Sequence, residues 1–159
     1  NSTSLASREA AAIIVGACKK LDPALRRYVI IEVFHLPSHL GIGSLDEITI
    51  PFMPFFNAFM AVPTPDMDDF TVFGNGNYFA VGIDLADRDL PPEEAQKRLM
   101  PFWAAAKKSR LEVFVHGIAG EAVKQLAERY EAAGMDGVFF GDDETAMPPR
   151  AIAAAAPNG

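Results

Sequence analysis

Tyr28-Val29-Ile30-Ile31-Glu32-Val33-Phe34 is an almost continuous β-branched and aromatic run with one charged residue, Glu32. Such a run predicts a strand buried on both faces, as in a parallel sheet covered by helices. Before it, Ser7 to Lys20 repeats small and apolar residues (Ala10, Ile13, Ile14, Ala17) at helical spacing, and Lys19 and Lys20 suit the negative end of a helix. Asp22-Pro23 closes that helix. After it, strands are predicted over Phe59–Val62, Tyr78–Leu85, Leu111–Val115 and Gly137–Phe140, with a strand stub at Asn1–Thr3. Ser44-Leu45-Asp46-Glu47 fits a capping box, and a short helix begun near Pro51 or Pro54 should end about Asn57. Asp89 caps a helix that runs to about Lys108, with Pro91 and Pro92 in its first turn and a kink at Pro101. A last helix spans Gly120–Ala133, and Gly134 is expected as its left-handed stop.

Alternating strands and helices define an α/β protein. They suit a (β/α) barrel or a doubly wound sheet. A complete barrel takes about 250 residues, so the expected fold is a partial or modified (β/α) TIM-type barrel.

Of the 159 residues, 50% are apolar and 22% charged, enough for a sizeable core. Lys plus Arg total 14 against 21 Asp plus Glu, a net charge of −7. A basic stripe is missing, so no nucleic-acid polymer is expected as a partner. Cys18 is the single cysteine and reads as a small core residue. No apolar run approaches the ~20 residues of a membrane span, and no signal-peptide pattern is visible. A cytoplasmic setting without membrane insertion is the expectation.

Five segments follow one another in a telling order: Asn1-Ser2-Thr3-Ser4-Leu5, Leu25–His35 (LRRYVIIEVFH), Tyr78–Leu85 (YFAVGIDL), Val113–Ala133 (VFVHGIAGEAVKQLAERYEAA) and Gly134–Gly141 (GMDGVFFG). The series resembles the C-terminal portion of EAL domains, bacterial (β/α) barrels that hydrolyse cyclic di-GMP. The segments are similar, in turn, to the family's "NxS…L" strand end, its "LEITE" and "KID" strands, "AEGVET" with its helix, and the closing "GxDYxQGY" strand. No single motif is intact; the ordered series carries the resemblance. It implies an EAL-like domain over residues 1–145 without the family's N-terminal segment, followed by a loosely held Ala/Pro-rich tail over residues 146–159. The "EAL" signature itself would lie upstream of residue 1.

The family's reaction needs hard oxygen ligands that hold divalent ions, polarise the phosphoryl group and lower the pKa of the attacking water. By the resemblance, Asn1 keeps the family's Asn and Glu32 keeps the first Glu of "LEITE", whereas Phe34 and His35 replace the next Thr and Glu. Pro63-Thr64-Pro65 stands where "DDFG" belongs. Asp68-Asp69-Phe70 lies too near the next strand to substitute for it, and Thr71 follows instead of Gly. Gly82 replaces the Lys of "KID", although Asp84 is retained. His116 replaces the Glu of "EGVET", and Ala119 and Gly120 its remaining Glu and Thr. Losing even one stabilising group often costs orders of magnitude in rate. The resemblance therefore implies an inactive domain with no catalytic residue, no metal and no cofactor, and Asn1, Glu32, Asp84 and His116 as vestigial site positions.

These residues also have plainer readings. Glu32 reads as a strand-end carboxylate paired with a nearby donor, and His116 as a hydrogen-bonded strand-end histidine. His35 and His39 have the spacing of a helical metal pair, but Pro37 and Gly41 oppose a helix there. Gly74-Asn75-Gly76 is a turn, and Asp142-Asp143-Glu144 a solvated acidic turn. Phe52, Phe55, Phe56 and Phe59 are ordinary core by default, and the best candidate partner surface if missing strands leave apolar area uncovered.

The expected function is a protein-interaction or signalling module in bacteria, with a protein partner or a homodimer covering the open sheet edges. Cyclic di-GMP is not expected to bind. Two alternatives stand beside it: a non-hydrolysing cyclic di-GMP receptor, and a fragment of an unrelated phosphate-binding (β/α) barrel enzyme, whose last-strand motif GMDGVFFG also resembles.

Overall fold

Five parallel strands line up in the order of the chain, β1 (Ile30–Leu36), β2 (Ala58–Pro63), β3 (Ala80–Asp84), β4 (Glu112–His116) and β5 (Gly134–Met135). The computed structural model describes residues 8–36, 41–64, 67–85 and 91–137. The helices are α1 (Arg8–Lys20), α2 (Pro23–Arg26), α3 (Ile42–Thr49), α4 (Thr71–Gly74), α5 (Pro92–Lys108) and α6 (Glu121–Arg129). Parallel neighbours cannot be joined by a tight hairpin, so each connection must return along the sheet. The helical segments between successive strands make those returns. The strand stub at Asn1–Thr3, the cap at Asp89, the acidic turn at residues 142–144 and the tail at 146–159 lie outside the described residues.

Alternate residues of a strand point to opposite faces of the sheet. Val33, Phe59, Ala61, Val81, Val113 and Val115 enter the hydrophobic core, where they meet Leu45, Ile48, Phe52, Phe73, Leu99 and Ile118. Each large side chain buried there is worth ~1.5–3 kcal/mol. Aromatic edges organise one end of this core: Phe70 meets Phe102 at 4.8 Å, and Phe73 meets Tyr78 at 5.5 Å, both edge-on. The opposite face carries Glu32, Phe34, Gly82 and His116 in the same alternation. Cys18 is buried in α1, as its helical setting predicts.

Several local readings are corrected. The run at residues 28–34 becomes an edge strand, paired only with β2 among the described residues, so most of β1 is half-buried and not covered on both faces. Phe52, Phe56 and Phe59 lie in the core and Phe55 is half-buried, so this stripe is not an open partner surface. The exposed apolar side chains include Ile13, Leu25 and Tyr28, and beside the stripe Ile50 and Met53. The capping box does not form: α3 starts one turn earlier at Gly41, whose carbonyl accepts from the Ser44 and Leu45 amides, leaving Ser44 inside the helix. Consecutive turns, not a helix, then carry the chain to Phe56.

Gly134 is not the stop of the last helix. Glu131 takes the left-handed conformation (φ 58°), and the Ala132 amide donates to the Ala127 carbonyl at 2.9 Å. Arg110 (φ 59°) ends α5 in the same way, with Leu111 donating to Ala106. Gly134 instead opens β5, where the ring of Phe114 occupies the space a side chain would need. The last strand among the described residues is therefore Gly134–Met135; of the strand expected over 137–140, residues 138–140 lie outside the described residues.

Candidate functional site

The strands of a parallel sheet end together, and their last residues and following loops build its carboxyl-end mouth, the usual place for ligands in such folds. Here the mouth holds a cleft of about 410 Å³ lined by Glu32, Phe34, Asp84, His116, Gly117, Ala119, Asp136 and Gly137. Ladder pairing fixes much of it, since Asp84 is the register partner of His116 and Val115 that of Met135. One residue beyond that last pair, Asp136 comes alongside His116.

Asp136 is held from four sides. Its Oδ2 lies 2.7 Å from His116 Nδ1, and its Oδ1 accepts from the Gly117 amide at 3.2 Å. Its own amide donates to the Val115 carbonyl and its carbonyl accepts from the Ile118 amide. Gly117 (φ 74°) and Gly137 (φ 144°) supply the left-handed backbone that lets the two loops pack this closely, and a side chain on Gly137 would run into the Ile118 backbone. An ionised Asp136 accepts the Nδ1 proton, so the imidazole turns Nε2 the other way.

That second nitrogen faces Glu32. Nε2 and Glu32 Oε2 are 3.9 Å apart, and Nε2 is shut off from solvent without a hydrogen-bond partner among the described residues. Burial pushes the Glu32 carboxyl above its ordinary range; His116 opposes the rise and Asp136 adds to it. The result is a carboxylate–imidazole–carboxylate row, Glu32–His116–Asp136, across the mouth. Phe34 leans over it, its ring centre 6.2 Å from that of His116.

The structure thus brings Glu32, Asp84 and His116 to one cleft, while Asn1 lies outside the described residues. Asp69 does not line the cleft: its carboxylate accepts from the Thr71 amide at 3.0 Å and the Thr71 hydroxyl at 2.6 Å. Those two bonds hold its pKa below the ordinary carboxylate value, the hydroxyl foremost. Thr64 donates its amide to the Leu36 carbonyl at 3.1 Å, joining the ends of β1 and β2. His39 lies outside the described residues. Among the described residues no three His, Cys, Asp or Glu side chains converge to hold a metal ion.

Asp136 is the residue that sequence reasoning missed. With the last strand set at residues 137–140, Asp136 fell at the strand's entrance, far from the mouth. The strand ends at Met135, which puts Asp136 at the exit. The signal in the sequence was the acidic residue directly after Gly134-Met135, which stands at the Asp of "GxDYxQGY" in the resemblance.

Fold and site together define an α/β protein with a parallel, sequentially ordered sheet and a partly buried imidazole between two carboxylates at its carboxyl-end mouth. No family model matches the chain, and no curated protein or solved structure gives a match. No helix among the described residues is long and apolar enough to cross a membrane.

Proposed function

We propose that this chain is the C-terminal portion of an EAL-like (β/α) barrel that is silent toward cyclic di-GMP and serves as a cytoplasmic protein-interaction or signalling module in bacteria. The strand order supports the barrel: a doubly wound sheet reverses direction at a switch point, whereas this order never reverses. The ordered resemblance supports the family.

The observation that carries the silent reading is the position of His116. Its ring stands against Gly82, where the resemblance calls for an ammonium, and its Nε2 is closed to solvent. A lysine-steadied water has no place in that arrangement, and a buried Nε2 cannot reach a substrate proton. The carboxylates of Glu32, Asp84 and Asp136 around the same cleft would also repel a phosphodiester. That repulsion disfavours the receptor and phosphate-binding alternatives as well.

The test is incubation of the purified chain with cyclic di-GMP and Mg²⁺ or Mn²⁺, reading linear dinucleotide by chromatography. No product above the buffer control is expected; sustained turnover overturns the proposal. Calorimetry with cyclic di-GMP up to millimolar concentration forms the second arm, and measurable heat of binding there replaces the silent module by a receptor. For the interaction role, β1 and β5 are the open edges of the sheet among the described residues, and such edges are normally covered. Sedimentation is expected to show association, with itself or with a protein partner.

A further inference from the structure

We propose that the outer face of α1 is a self-pairing surface. Two copies of this chain meet there with their α1 helices side by side and antiparallel, Glu9 of each against Lys20 of the other and Ile13 of each over Gly16 of the other. The pairing gives the interaction role a surface and a partner, resting on that half of the reading above and not on the family resemblance.

The inner side of α1 is set by Cys18, which is buried, and by Val15, which packs against the core. At 3.6 residues per turn the opposite side carries Glu9, Ile13, Gly16 and Lys20. Ile13 is 69% exposed, more than any other large apolar side chain among the described residues. Glu9 and Lys20 are exposed and join no ion pair among the described residues. A methyl placed on Gly16 would meet nothing within 4 Å among the described residues. Glycine inside a helix is unfavourable, and no close packing within the described chain calls for one here.

Those four residues stand four, three and four apart, the seam spacing along which two helices pack side by side. The seam is also its own complement when reversed. Read from the other end it runs Lys20, Gly16, Ile13, Glu9, so an antiparallel copy sets base on acid at both ends and isoleucine over glycine twice in the middle. Beside the seam, Ala12 of each helix falls against Ala17 of the other; both are exposed and small, which lets the helices approach closely. A parallel copy would set Glu9 on Glu9 and Lys20 on Lys20, two repulsive pairs, and leave Gly16 facing Gly16. A helix of 13 residues is about 20 Å long, so the contact is small and the association weak and concentration-dependent.

Sedimentation equilibrium of the full chain from about 1 to about 500 µM, at low ionic strength so that surface charges are not screened, reads the pairing. The wild type is expected to dimerise reversibly. Glu9→Lys and Lys20→Glu should each weaken the dimer by roughly fivefold or more, since each turns both attractive pairs into repulsive ones. The double variant should regain the wild-type constant. Ile13→Ser should weaken the dimer as well, and its urea midpoint at about 1 µM, where the chain is monomeric, should match that of the wild type. A wild type that stays monomeric throughout overturns the pairing and leaves the interaction role to a different protein. A dimer that Ile13→Ser leaves unchanged also overturns it, and leaves that role to the sheet edges. Charge reversals without rescue in the double variant overturn the antiparallel register. A lower urea midpoint for Ile13→Ser with no change in association overturns the proposal too, because the face is then covered by a segment of its own chain.

Discussion

A methyl group placed on Gly82 would stand 3.0 Å from His116 Nε2 and 2.9 Å from a Val62 methyl. The bare α-carbon of β3 and the imidazole of β4 are thus two halves of one packing solution. The histidine fits because nothing projects from residue 82, and nothing larger can be installed at residue 82 while the histidine stays.

Gly82→Ala is therefore expected to destabilise the chain by about 1–3 kcal/mol, the usual range for overpacking. Val62 is buried on the interior strand β2 and His116 is pinned by Asp136, so neither neighbour gives way freely. Urea unfolding of Gly82→Ala, His116→Ala and the double variant checks the relationship. The double variant should be more stable than the sum of the two single losses by ~0.5 kcal/mol or more. Strict additivity would dissolve the link.

Glu32 gives the stability of the fold a definite pH dependence. Its carboxyl lies above the ordinary value of 4.5, chiefly through burial, so the unfolded chain releases this proton first as pH rises. The contribution of Glu32 is fully present below pH 4.5 and is lost as pH climbs through the raised folded value. Urea midpoints measured from about pH 4 to pH 8 should accordingly show a downward component in the wild type that Glu32→Gln removes.

Glu131 closes α6 in a conformation that suits glycine. A non-glycine residue there carries a cost of ~1–2 kcal/mol, part of which a glycine recovers after its greater unfolded-state entropy is counted. Glu131→Gly is expected to raise stability by roughly 0.5–1 kcal/mol, read as a higher denaturant midpoint with an unchanged slope. A loss of stability would show that the Glu131 side chain makes a contribution its backbone conformation conceals.

Tyr78 sits with its ring edge against Phe73 and Phe59, and its buried hydroxyl has no hydrogen-bond partner among the described residues. Burial raises its pKa, so the phenol stays neutral through the ordinary pH range. Removing an unsatisfied buried hydroxyl while keeping the ring should leave stability unchanged or raise it by ~1 kcal/mol. Thermal unfolding of Tyr78→Phe checks this; a clear loss would mean that a water or a residue outside the described set serves the hydroxyl.

The sequence alone determined the α/β class and the approximate places of four of the strands, because β-branched and apolar runs bounded by glycine and proline are local signals. It also marked Glu32, Asp84 and His116 as strand-end residues worth following. Only the tertiary structure decided the rest. Gly134 has the look of a helix stop until the ring of Phe114 is seen to need its empty α-carbon, and that displacement moves β5 and brings Asp136 to the mouth. The phenylalanine stripe at residues 52–59 has the same composition whether it faces a partner or its own core, and packing against β1, β2 and Tyr78 settled which. Helix spacing and strand character are written between near neighbours in the chain, whereas ring-over-glycine contacts and the Asp136–His116 bond join residues far apart in it, and those exist only once the strands have paired.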